Sequence, residues 1–417
     1  MGESVKNGKH SICFYKGNKS YFSKEEEEEK DCSNKEEEEE KLNKIQQEFL
    51  KILNTHNLSF LLGAGCSSLI EEKKVGIPTM QGLAKEFYEK IEKDDNIKEI
   101  FGKLKLSSNG QIKDNLEKLM EFLFAQRFVH ETLCDENDEN LKNIKMLIKS
   151  VQDFIFEKCN IEGREIIEIY KNFYRKLIYR DNNLAKINIF TTNYDLFNEK
   201  ALDELGIIYA NGFSGVVERF FNPAVFNYAF AEQMELSHNK WNVIDNFIYL
   251  YKLHGSINWV ETENEQHLFK IKEIQLPNNS NENTAMIYPT PVKQNASFGS
   301  PYSDIFREFQ KKLMKSNNVL VVVGYSFGDE HINNIIYQAL TIPTFRLVIL
   351  GDREKDNYKK LSKLNDPRIW FIYGGENKVH YFKNFIEQIL PDFQDEQIET
   401  QIEKIREIFY AQKGKND

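Results

Sequence analysis

The sequence has few cysteines, and no two of them are close together. The five are Cys13, Cys32, Cys66, Cys134 and Cys159, with no C-x-x-C spacing among them. A zinc ribbon or a disulfide framework needs closer or paired cysteines, so we expect neither. The sequence also lacks H-E-x-x-H and any cysteine-histidine cluster, and we therefore expect no metal ion. Unpaired thiols are typical of a reducing compartment, which favours a cytoplasmic protein.

Long apolar runs are missing as well. No stretch reaches the length of about 18 apolar residues that a membrane-spanning helix needs. The polar start of the chain has no apolar segment of the kind found in signal peptides. We therefore expect no contact with a membrane.

Basic charge is outweighed by acidic charge. The chain has 65 acidic and 55 basic residues, a net charge of −10. Two all-glutamate runs, at residues 25–29 and 36–40, account for this excess. Because such runs repel and bury nothing, residues 1–42 are predicted to be an acidic disordered tail. The near-neutral remainder gives no indication of nucleic-acid binding, which we expect only indirectly, through a partner.

The most informative stretch is an apolar strand that runs into a glycine turn. Leu-Ser-Phe-Leu-Leu is followed by Gly63, Ala64, Gly65 and, two residues further on, Ser67. Glycines let the backbone approach a pyrophosphate, whose charge then lies at a helix N-terminus. The third glycine of the full dinucleotide pattern is missing, and a tight turn without a ligand has the same sequence. This stretch alone is weak evidence.

Helical spacing dominates residues 81–180. Apolar residues recur there three and four positions apart, and residues 93–180 contain no proline. We predict a helical subdomain inserted after the first strand of a catalytic domain that spans residues 43–390. Residues 391–417 are predicted to form an amphipathic helix that packs on its own domain or contributes to oligomer contacts.

Four later apolar runs end in polar or glycine-rich clusters, at residues 191–195, 254–256, 324–329 and 351–352. Several runs are continuous and β-branched, as in buried parallel strands, and helical patterns separate some of them. This predicts an α/β fold with a Rossmann-like, doubly wound parallel sheet, while residues 211–244 and 259–288 are predicted to be loops. Ligands of open α/β sheets bind beyond the carboxyl ends of the strands. Several such ends favour a nucleotide site.

Three side chains in these clusters are candidates for chemistry. Asn193 is suited to donate to ribose hydroxyls or to orient a water molecule. Asp195 is suited to accept from a carboxamide, but capping the next helix explains it equally well. His254 is the best acid-base candidate because it follows a strand and precedes Gly255, where a ligand can approach.

Ser326 supports a competing interpretation. Gly-Tyr-Ser-Phe-Gly matches the G-x-S-x-G spacing of serine hydrolases, and Asp352 and His380 are in the order that such a triad requires. That interpretation leaves the first glycine turn, Asn193 and His254 unexplained.

In their order along the chain, these motifs resemble the zinc-less bacterial sirtuin-like NADases of antiphage defence systems. The resemblance covers about residues 58–373. The residues that carry it are Gly63-Ala64-Gly65-Cys66-Ser67, Thr192-Asn193-Tyr194-Asp195, His254-Gly255 and Gly324-Tyr325-Ser326-Phe327-Gly328-Asp329.

The resemblance implies a role for each matched position. NAD is then the substrate in a Rossmann-like domain beneath a helical subdomain. The residues implied to contact the phosphates are Gly63, Ala64, Gly65 and Ser67, and those implied to contact the adenosine side are Gly324 and Ser326. The residues implied to lie around the nicotinamide ribose and carboxamide are Thr192, Asn193 and Asp195. The implied base is His254.

The sequence departs from the protein deacylases of this family. These carry a four-cysteine zinc module soon after the histidine, whereas this chain has no cysteine beyond Cys159. The resemblance therefore implies cleavage of NAD+ to nicotinamide and ADP-ribose rather than deacylation. It also implies a homo-oligomer or a partner such as a HerA-like translocase ATPase. The alternatives are an NAD-binding sensor or scaffold without turnover, and the serine hydrolase based on Ser326.

Overall fold

The structure of the protein is a computed structural model. It describes residues 11–22, 35–68, 76–104, 106, 115–133, 138–178, 180–181, 183–234, 240–262, 268–275, 284–286 and 301–392.

The strands and helices alternate along much of the chain. The strands are β1 (Cys13–Lys16), β2 (Lys19–Ser20), β3 (Asn57–Leu62), β4 (Asn188–Thr191), β5 (Ile208–Ala210), β6 (Phe213–Ser214), β7 (Arg219–Phe221), β8 (Ala231–Met234), β9 (Lys240–Val243), β10 (Phe247–Lys252), β11 (Gly255–Glu261), β12 (Ile271–Glu273), β13 (Thr284–Met286), β14 (Asn318–Val323), β15 (Arg346–Leu350) and β16 (Ile369–Tyr373). The α-helices are α1 (Lys35–Leu53), α2 (Met80–Ile91), α3 (Asp95–Lys103), α4 (Leu116–Leu133), α5 (Glu139–Cys159), α6 (Arg164–Leu177), α7 (Phe197–Leu205), α8 (Tyr302–Leu313), α9 (Glu330–Ala339), α10 (Asp356–Ser362) and α11 (Phe382–Asn384).

A nine-stranded sheet organises the fold, in the order β2-β1-β16-β15-β14-β3-β4-β10-β5. The seven strands from β16 to β5 pair in parallel. From the central β3 the chain adds β4, β5 and β10 on one side, and it later returns to place β14 on the other. The predicted doubly wound parallel sheet is confirmed. The order of strands reverses between β3 and β14, which is where open α/β sheets bind ligands.

Successive residues of the central strands face opposite sides of this sheet. In β14, Val319 and Val321 join one apolar cluster with α1, α2 and α4 to α6, whereas Leu320 and Val322 join a second with α8 to α10. Burial on both faces explains why the strand sequence is continuously apolar. Among the described residues, no helix has both the length and the apolar composition to cross a membrane.

The N-terminal segment differs from the predicted acidic disordered tail. Strand β1 pairs antiparallel with β16, and Ile12, Phe14 and Phe22 are buried. Residues 36–40 lie in the first turns of α1, and the positive end of the helix dipole favours acidic side chains such as that of Glu37. The edge of the distant β16 therefore gives this segment a partner that its local composition does not indicate. Residues 1–10 and 23–34 lie outside the described residues.

Two further predicted segments can be compared with the structure. Helices α2 to α6 follow β3 and precede β4, as expected of the region 81–180. The predicted loops at 211–244 and 259–288 are wrong in part, because they contribute strands to a second sheet in the order β13-β11-β12-β7-β6 and to the hairpin β8-β9. Apart from β11, these strands have two to four residues and are too short to show a clear alternation of apolar and polar residues. The predicted helix at 391–417 falls outside the described residues from residue 393 onwards.

Candidate functional site

Two glycine turns meet where the strand order reverses. The N–H of Gly63 donates to the carbonyl of Val323, and the N–H of Gly65 donates to that of Gly324, both at 2.9 Å. A Cβ atom on Gly63 would lie 2.4 Å from the carbonyl oxygen of Gly324, and one on Gly65 would lie 2.8 Å from its Cα. Gly324 has a φ of +66°. These glycines are therefore required by the contact between the two backbones, with or without a ligand.

A cavity of about 190 Å³ opens beside this contact. Its lining includes Gly65, Ser68, the loop from Gly324 to Ser326 and helix α11. Lys355 and Lys383 also line the cavity and bring positive charge to it. Close backbone, hydroxyl groups and lysines are features suited to a phosphorylated ligand.

Asn193 joins the end of β4 to the first glycine turn. Its Nδ2 donates to the carbonyl of Gly63 at 3.1 Å and to Oγ of Ser67 at 3.0 Å, and the side chain is buried. Ser67 also shares a 3.0 Å hydrogen bond with the hydroxyl of Tyr170. Both amide hydrogens of Asn193 are thereby engaged within the protein. Its carbonyl Oδ1, an acceptor, is then the atom suited to a ribose hydroxyl or a water molecule.

Asp195 contacts the start of α7. Its Oδ1 accepts from the N–H of Phe197 at 3.1 Å, which is the capping role that the sequence allowed. Burial raises the pKa of Asp195, against the opposing charge of Lys252 and hydrogen bonds from Phe197 and Ser67. The contact of Asp195 with a carboxamide stays a prediction. Thr192 lies beside it, with its N–H donating to the carbonyl of Leu62 at 3.2 Å.

His254 lies between β10 and β11 and is paired with a carboxylate. Its Nε2 donates to Oδ2 of Asp329 at 2.9 Å, and both side chains are largely buried. Asp329 also caps α9, with Oδ1 accepting from the N–H of His331 at 2.8 Å and of Ile332 at 3.2 Å. Burial disfavours its charge, yet the contacts with His254 and these N–H groups hold the pKa of Asp329 below its usual value. Asp329 is thus an ionised group that orients the imidazole.

The role of Asp329 was missed in the sequence. It follows a glycine-serine loop and precedes a helix, a position that capping explains completely. The 75 residues that separate it from His254 leave no local signal of their contact.

The structure places the candidate residues in two groups at the same edge of the sheet. Gly65, Gly324 and Ser326 line the cavity, and Ala64 lies in the turn beside them. Asn193, Asp195 and His254 are buried nearby, under the carboxyl ends of β4 and β10, and are not among the residues that line it. Ser67 links the two groups through its contact with Asn193.

Ser326 lacks the geometry of an activated nucleophile. It is exposed, and within the described residues no hydrogen bond joins it to His380. Besides Gly324, the residue of this loop with a positive φ is Phe327, at +55°, and not the serine. Nδ1 of His380 instead accepts from the N–H of Gly374 at 3.4 Å, and burial together with the charge of Lys355 lowers the pKa of His380 to about 4.

The described residues contain no group of three or more histidine, cysteine or acidic side chains arranged to hold a metal ion.

Comparison with known proteins finds a similarity for part of the chain. Residues 187–372 match the family model of the SIR2-like domain, from just before β4 to within β16. This part of the chain is therefore similar to a SIR2-like domain, in line with the resemblance of its motifs, although the first glycine turn precedes the matched residues. No curated protein matches the chain.

Solved structures of Sir2 proteins are among those that match. A Sir2 variant with deacetylated p53 peptide and 3′-O-acetyl ADP-ribose is 13% identical, with a TM-score of 0.35, and the match covers 76% of this chain and 96% of that one. A complex of Sir2 with p53 peptide and NAD+ is 11% identical, with a TM-score of 0.30 and the same coverage of both chains.

Proposed function

We propose that the protein is an NAD+ glycohydrolase that cleaves NAD+ to nicotinamide and ADP-ribose, and that it depletes NAD+ in antiphage defence. The observation that carries the proposal is the meeting of two glycine turns beside a cavity at the point where the strand order reverses. The match to the SIR2-like domain supports the choice of NAD+ as substrate. Assembly into a homo-oligomer or with a HerA-like ATPase, in the cytoplasm, belongs to the same proposal.

The residues divide the work between binding and cleavage. The turn at 63–67 holds the pyrophosphate, and Gly324 and Ser326 contact the adenosine side. Thr192, Asn193 and Asp195 surround the nicotinamide ribose and its carboxamide.

The reaction needs a base more than it needs an acid. Nicotinamide leaves as a neutral molecule from a cationic ring, so its departure requires no proton. Water adds to the anomeric carbon as the glycosidic bond breaks, and His254 takes the released proton. The carboxylate of Asp329 accepts the Nε2–H, which leaves Nδ1 as the basic nitrogen. Positioning of the ribose in a dehydrated site supplies much of the remaining acceleration.

Incubation of the purified protein with NAD+ tests the proposal, with nicotinamide and ADP-ribose measured by chromatography. We expect release by the wild type and a loss of about 10²- to 10⁴-fold in His254→Ala, the range for removal of a general base. Asn193→Ala is expected to lose activity as well. His331→Ala is the matched control, because its exposed side chain neighbours Asp329 while only its backbone N–H makes the contact. Undiminished release by both site variants contradicts the assignment.

A non-catalytic NAD sensor or scaffold is the second candidate. The observation that favours it is the burial of Asn193 and His254 away from the lining of the cavity. Calorimetry separates the two candidates: NAD+ binding without nicotinamide release favours the sensor. Labelling of Ser326 by a fluorophosphonate would instead support the serine hydrolase.

A further inference from the structure

Lys252, the last residue of β10, is a buried cation that the proposed reaction does not use. Its side chain is 1% exposed, and its Nζ lies 3.0 Å from Oε1 of Glu199 in α7. The same ammonium donates to the backbone carbonyls of Tyr194, at 3.3 Å, and Asp195. One cation therefore ties together a strand end, the loop after β4 and the first turn of a helix.

These contacts are directed at the part of the chain that carries Asn193 and Asp195. The carbonyl of Tyr194 also accepts from the N–H of Ile257 at 3.1 Å and from Oγ of Ser256 at 3.3 Å. The peptide between the two candidate site residues is thus held from β10 and β11 together. Rotation of that peptide would move both side chains.

Stability alone is a poor reason for burying this ion pair. Removing an ammonium and a carboxylate from water costs free energy, and apolar pairs of similar volume often stabilise a core as well or better. What an apolar pair cannot replace is a hydrogen bond from a cation to the backbone carbonyls of Tyr194 and Asp195.

We propose that Lys252 is a positioning residue, which holds the loop at 192–196 so that Asn193 and Asp195 face the reacting end of the nucleotide. This inference rests on the proposed function, since it names the device that aligns the same site. Its effect is expected in the cleavage step more than in nucleotide affinity, because Lys252 is not among the residues that line the cavity.

The decisive variant replaces both members of the ion pair. Lys252→Met alone would leave the carboxylate of Glu199 buried without its cation, and a loss of activity could then reflect misfolding. Lys252→Met with Glu199→Met removes both charges at similar volume. We expect this pair to keep the cooperative unfolding transition and a KM within about twofold of wild type, while kcat falls by about 100-fold, as for a small misplacement of reacting groups.

A second ion pair on α7 provides the matched control. Nζ of Lys171 lies 3.0 Å from Oε2 of Glu204, at the opposite end of that helix from Glu199. Lys171→Met with Glu204→Met likewise removes one lysine and one glutamate, the glutamate from the same helix as Glu199, without touching the loop. This control is expected to retain the kcat of the wild type.

Wild-type kcat in the folded Lys252→Met/Glu199→Met variant would overturn the inference and limit Lys252 to a role in folding. If that variant does not fold, the pair Lys252→Gln with Glu199→Gln, in which the side chains can bond to each other, is measured in the same way.

Failure of the proposed function has a different signature, namely no nicotinamide release by the wild type. Hydrogen exchange then decides the inference: faster exchange of amides at 192–198 in the double variant than in the control supports it, and equal exchange overturns it.

Discussion

The two halves of the candidate site are built by different means. The turns around Gly63 and Gly324 are held by backbone hydrogen bonds and by the absence of side chains. The region of Asn193, His254 and Asp329 is held by side-chain hydrogen bonds between segments far apart in sequence. The first half is therefore recognisable as a motif, whereas the second depends on pairings that only the folded chain creates. Variants in the first half should affect folding and binding, and variants in the second should affect cleavage.

The largest effect is expected from Asp329→Asn. The amide cannot accept a charge-assisted hydrogen bond from His254 as the carboxylate does, so the imidazole loses its orientation. We expect nicotinamide release to fall by about 10³-fold, with NAD+ affinity nearly unchanged, as measured by kinetics and calorimetry. An equal loss of affinity and turnover would show that the two halves are not separable.

The effect of Asp329→Asn on the free energy of unfolding is expected to depend on pH. Because the pKa of Asp329 is lowered on folding, its carboxylate contributes stability that is fully present above the unfolded pKa of about 3.9. That contribution is lost as pH falls through the lower folded value. Urea unfolding should therefore show a stability difference between wild type and Asp329→Asn that shrinks as the pH falls below about 4.

Gly63→Ala is expected to disrupt the half of the site in which the two glycine turns meet. The new methyl group would meet the carbonyl oxygen of Gly324, which no flexible side chain can relieve, and we expect a loss of about 3 kcal/mol in the free energy of unfolding. Gly102→Ala is the matched control, because α3 leaves open space around that position. We expect a gain of up to about 1 kcal/mol there. Similar unfolding midpoints for the two variants would contradict the steric explanation.

Ser67→Ala tests the link between the two halves of the site, and we expect it to lower stability by less than Gly63→Ala does. Loss of the hydroxyl leaves the Nδ2 of Asn193 and the buried hydroxyl of Tyr170 each without one partner. We expect a cost of about 2 kcal/mol by thermal unfolding. In a Tyr170→Phe background the same substitution should cost less, since one of the two groups is already absent. Additive effects of the two substitutions would show that the hydrogen bond between Ser67 and Tyr170 contributes no interaction energy.

Part of this organisation could be predicted from local patterns. Strands buried on both faces read as continuous apolar runs, so β3, β10, β14 and the parallel sheet were predictable. The hairpin of β1 and β2 was not, because the partner of β1 is β16, at the other end of the chain. The contact between His254 and Asp329 was hidden for the same reason, as was the engagement of both amide hydrogens of Asn193.

The sequence by itself determined the α/β class, the glycine turns and the polar residues at the strand ends. These features depend on residues that are close together in the sequence, through their periodicity and the backbone conformations that they allow. Only the tertiary structure decided that Gly63 and Gly324 meet, that Asp329 orients His254 and that Lys252 contacts the loop of Asn193. Those contacts join segments from 57 to 261 residues apart. Their formation depends on the order of the strands within the sheet, which places the carboxyl ends of β3, β4, β10 and β14 along one edge.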